Sequence, residues 1–416
     1  MTKPYLLFIE SNTSGSGEDF IKTAQRLGFK TLLLVNDIKR YPWASALTDY
    51  AELDTNDFET LSEYIITLQA RDNVAGVLTS SEYYVHTVAR VAEKFGLSGL
   101  SPSSVEDARN KNRMRSILKE NGLNSINYAK ISKDDDIAAK ASHLSFPIIV
   151  KPVSGSGSEN VILCSDMASV LSHLNTILSE THNARGQINP DFVALEEYID
   201  GPEYSVEIIC SPQPVAITVV QKHLTPEPHF LETGHDIPAQ LNESDRALII
   251  DEACKAVKAL GLKWGCIHVE LRMSHKGPII IEVNPRLAGG MIPTLIQYSY
   301  DIDMIELQVK SAAGHDVSSD DLPSLKTYSS IRFLIPPENG KLLRVDGLDD
   351  AASRPGVKKA YTDSRAKTFS VLKGDFTDRI GAIIVTDDDQ NKCIALIEDA
   401  VKDIDYIYHI DKGATA

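Results

Sequence analysis

Glu270 and Glu282 stand on two consecutive apolar alternating runs, His268-Val269-Glu270-Leu271-Arg272 and Ile279-Ile280-Ile281-Glu282-Val283-Asn284. The polar turn Ser274-His275-Lys276-Gly277 lies between them, which reads as a β-hairpin. If both glutamates face the same side of adjacent strands, their carboxylates converge. Asn284, two residues beyond Glu282, falls on that side by strand alternation. Two carboxylates and an amide oxygen suit Mg²⁺ when phosphates supply the remaining ligands. Arg286 follows at the same alternation, a fixed cation beside a site for anions. An acidic hairpin is often only a wet surface. Here Glu282 interrupts an apolar run, 278–283, where an unpaired charge is costly.

Two other segments carry candidate chemistry. Lys151-Pro152-Val153-Ser154-Gly155-Ser156-Gly157-Ser158 directly follows a strand-like run. Its glycines let backbone N–H groups approach anionic oxygens, its serines add hydroxyl donors and Lys151 brings charge, all useful for polyphosphate. The lysine precedes the glycines, so the order is not that of the P-loop. A plain surface loop has the same composition. In Glu196-Glu197-Tyr198-Ile199-Asp200-Gly201-Pro202-Glu203 a strand ends, turns and restarts. Backbone groups at the strand end could pair with an adenine edge, and Glu203 could accept from ribose hydroxyls. An ordinary acidic hairpin accounts for that segment equally well. Ser14-Gly15-Ser16-Gly17 lacks the third glycine of a dinucleotide fingerprint.

These groups need a scaffold. Strand-like runs at 5–10, 31–35 and 74–79 alternate with helical spacing at 18–27, 58–70 and 83–95. That βαβ pattern predicts a parallel sheet over roughly 1–100. Ser101-Pro102-Ser103-Ser104 marks a break before a basic helix at 108–121. Strands are expected at 146–152, 193–197 and 204–210, with a polar loop at 180–191. Residues 221–242, rich in Pro and His and without period, read as a long functional loop. Helices follow at 243–260 and 293–312, then an Asp/Ser-rich linker at 313–325. The remainder holds strands at 331–335, 382–385 and 406–410 and a helix at 393–401. The chain thus divides into residues 1–100, an N-terminal α/β domain; 101–315, a central domain with the candidate site; and 316–416, a small α+β unit.

At 416 residues the chain can bury two or three cores. Its net charge of −16, with no basic run, argues against nucleic acid or an anionic membrane as main partner. The five scattered cysteines, without a CxxC pair, suggest reduced thiols and a cytoplasmic location. The first ten residues do not read as a signal peptide. No apolar run approaches the ~20 residues that span a bilayer.

In order and spacing, the three motifs together resemble the ATP-grasp superfamily over most of the chain. The likeness is greatest to carboxylate–amine ligases, including L-amino-acid ligases of the bacilysin-synthetase type; D-alanine–D-alanine ligase and biotin carboxylase are more distant. The resemblance implies an ATP-grasp fold of mixed α/β and α+β class, its C-terminal unit lid-like. It implies ATP and two Mg²⁺ ions, with Mn²⁺ as a substitute, small carboxylate and amine substrates, and a homodimer as an assembly open to the chain. Lys111 and Lys151 would bind phosphates under a mobile loop, 154–158. Glu197 and Ile199 would contact adenine through their backbones, with Glu196 nearby and Glu203 on the ribose. Glu270 and Glu282 would bridge the metals, with Asn284 on one of them. Arg286 would hold the substrate carboxylate or an acyl-phosphate.

A finer likeness lies in Leu231-Glu232-Thr233-Gly234-His235. L-amino-acid ligases carry a Glu and a His three apart in the equivalent loop. Glu232 would suit an ammonium group, and His235 a carboxylate or acyl-phosphate oxygen; an incidental surface histidine is the bland alternative. Two departures stand out. Glu159-Asn160 replaces the usual small residues after the phosphate loop. Gly290, beside Gly289, occupies the position of a tryptophan that narrows one amino-acid pocket in the bacilysin-type enzymes, so a wider amine pocket is expected here. The implied chemistry is amide (peptide) bond formation through an acyl-phosphate, with release of ADP and phosphate. The rivals are a biotin-carboxylase-like or purine-pathway carboxylating enzyme and a non-catalytic ATP-binding protein.

Overall fold

The computed structural model describes residues 3–13, 16–155, 159–317 and 322–409. Ser156, Gly157 and Ser158 of the expected phosphate loop lie outside the described residues.

The first sheet is four-stranded and parallel, in the order β3-β2-β1-β4, with β1 at Tyr5–Ile9, β2 at Lys30–Val35, β3 at Asp49–Glu52 and β4 at Val74–Leu78. Apolar side chains fill both its faces, as helical crossovers require. The basic segment after Ser101 forms two helices, Pro102–Arg109 and Lys111–Glu120, rather than one. Asn110 adopts an extended backbone there, and its side chain accepts from Arg113 N to cap the second helix. That break places Lys111 at the start of a helix. The Lys111 N–H then donates to Val153 O at 3.2 Å, beside the lysine–glycine loop.

A second sheet is four-stranded and antiparallel, in the order β5-β8-β6-β7, with β5 at Tyr128–Ser132, β6 at Ile148–Pro152, β7 at Ile162–Cys164 and β8 at Phe192–Glu197. It carries Lys151 on β6 and Glu196 on β8.

The third sheet has eight strands in the order β13-β12-β9-β10-β11-β14-β17-β16. They are β9 at Glu203–Cys210, β10 at Pro214–Leu224, β11 at Glu232–Ile237, β12 at Gly265–Ser274, β13 at Gly277–Asn284, β14 at Tyr328–Leu334, β16 at Val357–Thr362 and β17 at Gly381–Asp387. The sheet runs without interruption across position 316, because β11 pairs with β14. A separate pair, β15 at Leu342–Asp346 and β18 at Asp405–Tyr408, completes the strands. The long loop expected over 221–242 is instead the end of β10, a short turn and β11. Strand periodicity is hidden there because Lys222, Glu232 and His235 are polar and the register shifts between His223 and Leu224.

On one face of β9, β10 and β12, Tyr204, Val206, Val219, Val269 and Leu271 pack with residues of helix Glu243–Ala259. The other face changes along the strands. Ile209, Val220 and Cys266 lie with helix Ile292–Tyr300, and the same alternation then presents Glu207, Ser205 and Glu203 on β9 and His268, Glu270 and Arg272 on β12. The helix covers the apolar end, and the uncovered polar end forms a cleft against the second sheet.

Candidate active site

The expected hairpin is present, with a one-residue register shift between Glu270 and Leu271. β12 and β13 are antiparallel, and Glu270 lies directly opposite Glu282. Neither carboxylate is bare. Glu282 Oε1 is 2.9 Å from Lys111 Nζ. Glu270 Oε2 is 2.8 Å from Lys222 Nζ, and its Oε1 is 3.0 Å from His268 Nε2. Burial opposes ionisation of Glu270, yet Lys222 and His268 hold its carboxyl well below the usual range. His268 also bonds Glu207 through Nδ1 at 2.7 Å. Burial would lower its pKa, but Glu207 and Glu270 raise it to about 10.

Among the described residues, no three His, Cys, Asp or Glu side chains are grouped to hold a metal. The hairpin offers two carboxylates and, two residues on, the Asn284 amide. These donors fit Mg²⁺ in kind and fall short in number, as expected where phosphate oxygens complete the shell.

Arg286 is fixed by the N-terminal unit. Its Nε donates to Glu82 Oε2, its Nη1 donates to Leu287 O at 2.8 Å, and Glu82 also accepts from Arg109 Nε at 2.8 Å. Burial opposes the charge on Glu82, but Arg286 and Arg109 keep its pKa lowered.

The second sheet supplies Lys151. Its Nζ is 2.6 Å from Glu196 Oε2, and Arg115 grips the same carboxylate at 3.0 Å on both oxygens. Arg115 also donates to the carbonyls of Ile280 and Ile281, each at 2.6 Å. Burial would raise the Glu196 pKa, but Arg115 and Lys151 bring it to about 2. Glu196 is therefore turned to Lys151 and Arg115, and it lines the cleft with Glu197 and Ile199. Burial lowers the Lys151 pKa, with Glu196 opposing.

Past β8, Tyr198 and Phe230 stack with centroids 6.0 Å apart, and the Arg272 guanidinium lies 5.2 and 5.1 Å from their rings. Arg272 Nη1 donates to Ile199 O at 2.9 Å, so that carbonyl already has a partner. The Glu197 side chain accepts from Asn127 Nδ2 at 2.9 Å. Glu203 binds Lys222 at 2.7 Å and Arg272 at 2.9 Å.

Lys222 on β10 gathers the site. Its buried ammonium lies within 3.0 Å of Glu203, Glu232 and Glu270. Burial would lower its pKa, but the three carboxylates raise it well above the ordinary value. The cleft encloses about 900 Å³, its open mouth included, and Lys111, Lys151, Glu203, Glu232, Glu270 and Glu282 line it with Gly155 and Glu159.

Glu232 and His235 stand together on β11. Glu232 Oε2 is 2.8 Å from Arg379 Nη2 and 3.8 Å from His235 Nε2. His235 is fully buried, and neither ring nitrogen has a hydrogen-bond partner among the described residues. Burial pushes its pKa down to about 3 despite Glu232, so the ring is neutral near pH 7. The space over Gly290 is not the open pocket anticipated from its lack of a side chain. A Cβ there would lie 2.5 Å from His235 Nε2, and φ is +58°. Gly289, by contrast, faces open space.

An ATP-grasp domain profile matches residues 144–294, and an L-amino acid ligase C-terminal domain 2 profile matches 332–409. Uncharacterized protein y4rH of Sinorhizobium fredii is 31% identical over 402 residues, covering 96% of this chain and 82% of that protein. The L-amino acid ligase structure from Bacillus licheniformis superposes with a TM-score of 0.83 at 25% identity, covering 99% of this chain and 100% of that one. The chain belongs to the ATP-grasp ligases. Within them it is a carboxylate–amine ligase related to the L-amino acid ligases. The alanine–anticapsin ligase of Bacillus subtilis is 28% identical over 269 residues, and the aligned region spans 60% of this chain and 56% of that enzyme.

Sequence reasoning missed several groups of this ATP-grasp ligase: Lys222, Arg115, Arg272, Arg379 and Glu82. Lys222 carried a signal, since the apolar run 215–220 leads straight into it, as a strand entering a polar site would. Arg379 and Glu82 carried none, because each meets its partner from a distant part of the chain.

Proposed function

We propose that this ligase joins the carboxylate of an amino acid or small acyl-amino acid to the amine of a second amino acid, through an acyl-phosphate. One observation carries the reading: phosphate-type lysines, paired carboxylates and the Glu232/His235 pair line or border a single cleft. Lys111 and Lys151 would hold the nucleotide phosphates beneath residues 154–158. Lys222 would join them, exchanging part of its carboxylate cage for phosphate oxygens. The Tyr198/Phe230 wall, with the backbone of Glu197 and Ile199, would receive adenine, and Glu203 would be positioned for ribose. Glu270, Glu282 and Asn284 would hold two Mg²⁺ ions, or Mn²⁺, whose bound charge would help to neutralise the transferring phosphoryl group.

A carboxylate oxygen attacks the γ-phosphorus, the β–γ bridging bond breaks and ADP leaves. The amine nitrogen then attacks the acyl carbon, the C–O bond to phosphate breaks, and the departing phosphate takes the amine's proton. Arg286, locked by Glu82, would orient the carboxylate and then the acyl-phosphate. Glu232 would face the ammonium group of the carboxylate substrate, and neutral His235 can donate to an acyl oxygen. Gly289 and Gly290 would border the amine.

A matrix of carboxylates against amines, scored by phosphate release and product mass, tests this. A product mass equal to the two substrates less water, with one phosphate per product, is expected. Glu282→Ala should lower coupling by at least about a hundredfold, the scale set by losing electrostatic stabilisation of a transferring group. Full coupling in that variant would end the proposal.

A further inference from the structure

The C-terminal unit reaches Glu232, on the substrate side of the cleft, through Arg379. Arg379 lies between a turn at 376–378 and β17. Its Nη2 donates to Glu232 Oε2 at 2.8 Å and its Nε to Glu232 O at 3.1 Å, so one guanidinium clamps both side chain and backbone of the same residue. The guanidinium carbon lies 4.4 Å from the centroid of Phe333, whose ring meets His235 edge-on at 5.7 Å. Arg379 is itself held from behind. The buried Asp378 carboxylate accepts from Lys373 N at 3.0 Å and Gly374 N at 2.7 Å, closing a rigid turn. Gly374 packs so tightly on His229 that a Cβ would lie 2.8 Å from its ring. His229 precedes Phe230 of the cleft wall, so the same turn buttresses that wall.

We infer that Arg379 is a positioning residue that sets substrate preference by fixing the charge and rotamer of Glu232. The inference rests on the proposal that Glu232 faces the carboxylate substrate. Lys222 can leave Glu232 for phosphate, whereas Arg379 is anchored outside the nucleotide cleft and keeps one carboxylate oxygen engaged throughout. A substrate ammonium therefore meets a single free oxygen held in one direction.

Arg379→Gln and Arg379→Lys test this. Loss of a charged hydrogen bond to Glu232 should raise the KM for the carboxylate substrate by on the order of tenfold in Arg379→Gln. Lysine should restore part of it, with the KM for ATP unchanged within about twofold. Hydrogen exchange at 225–237 in the nucleotide-free protein should quicken in Arg379→Gln. Equal shifts in both KM values, or none, would overturn the inference. If the wild-type protein makes no product with any pair, the ligation reading fails, and exchange at 225–237 still decides Arg379: faster supports its positioning role, unchanged refutes it.

Discussion

The side chains of this cleft are paired before any ligand enters. Lys222 has three carboxylates, Glu196 has Arg115 and Lys151, and Glu82 has Arg109 and Arg286. Such cages avoid the cost of isolated buried charge and hold each group where phosphates or metal can take over a partner. Among the described residues, the His235 ring is buried without a hydrogen bond. Its pKa falls from 6.5 to about 3 on folding. Between those values the unfolded chain binds the extra proton, so stability falls as pH drops from about 6.5 toward 3. Urea unfolding at stepwise pH should show a shallower acid-side loss in His235→Gln than in the wild type. Identical slopes would remove His235 as the cause.

Among elements, β10 and β11 decide most. Alternation puts Lys222 and His235 opposite each other in the register, facing the cleft, while His223 and Asp236 bond on the other face at 2.6 Å. The hairpin of β12 and β13 was legible because its apolar alternation and turn are local. The β10–β11 pair was not, since a strand lining a polar site loses the apolar half of its signature. The backbone after β13 has its own constraint. Gly290→Ala should cost about 1–3 kcal/mol, as overpacking against His235 and a positive φ both oppose it. Gly289→Ala has open space and should leave stability within about 0.5 kcal/mol. Denaturant midpoints check both. Equal tolerance at the two positions would show that His235 moves aside freely.

At the scale of the molecule, the third sheet joins what composition suggested were separate units. β11 pairs with β14, Arg332 bonds Asp236 at 2.8 Å, and Arg379 bonds Glu232. A chain ending at residue 325 would expose the edge of β11 and leave Asp236 and Glu232 without these cations. It should aggregate or elute as an expanded species in size-exclusion chromatography; a compact monomer with native nucleotide affinity would contradict this. The loop at 180–191 ties the other side: Arg185 donates to Tyr41 OH and Ser11 O, each at 2.8 Å, linking the second sheet to the first. All five cysteines are free, four of them buried, and no helix among the described residues is long and apolar enough to cross a membrane.

The sequence determined the chemical types and their local spacing. The hairpin is a property of a dozen residues, although Glu270 meets Glu282 only through a one-residue register shift between Glu270 and Leu271, and Asn110 set the start of the Lys111 helix through its own cap. Tertiary structure decided who neutralises whom. Lys222 reaches Glu270 across 48 residues, Arg379 reaches Glu232 across 147, and Arg286 reaches Glu82 across 204. Those pairings follow from strand order and from which faces must be buried together. Burial couples the whole chain, and no local pattern records its outcome.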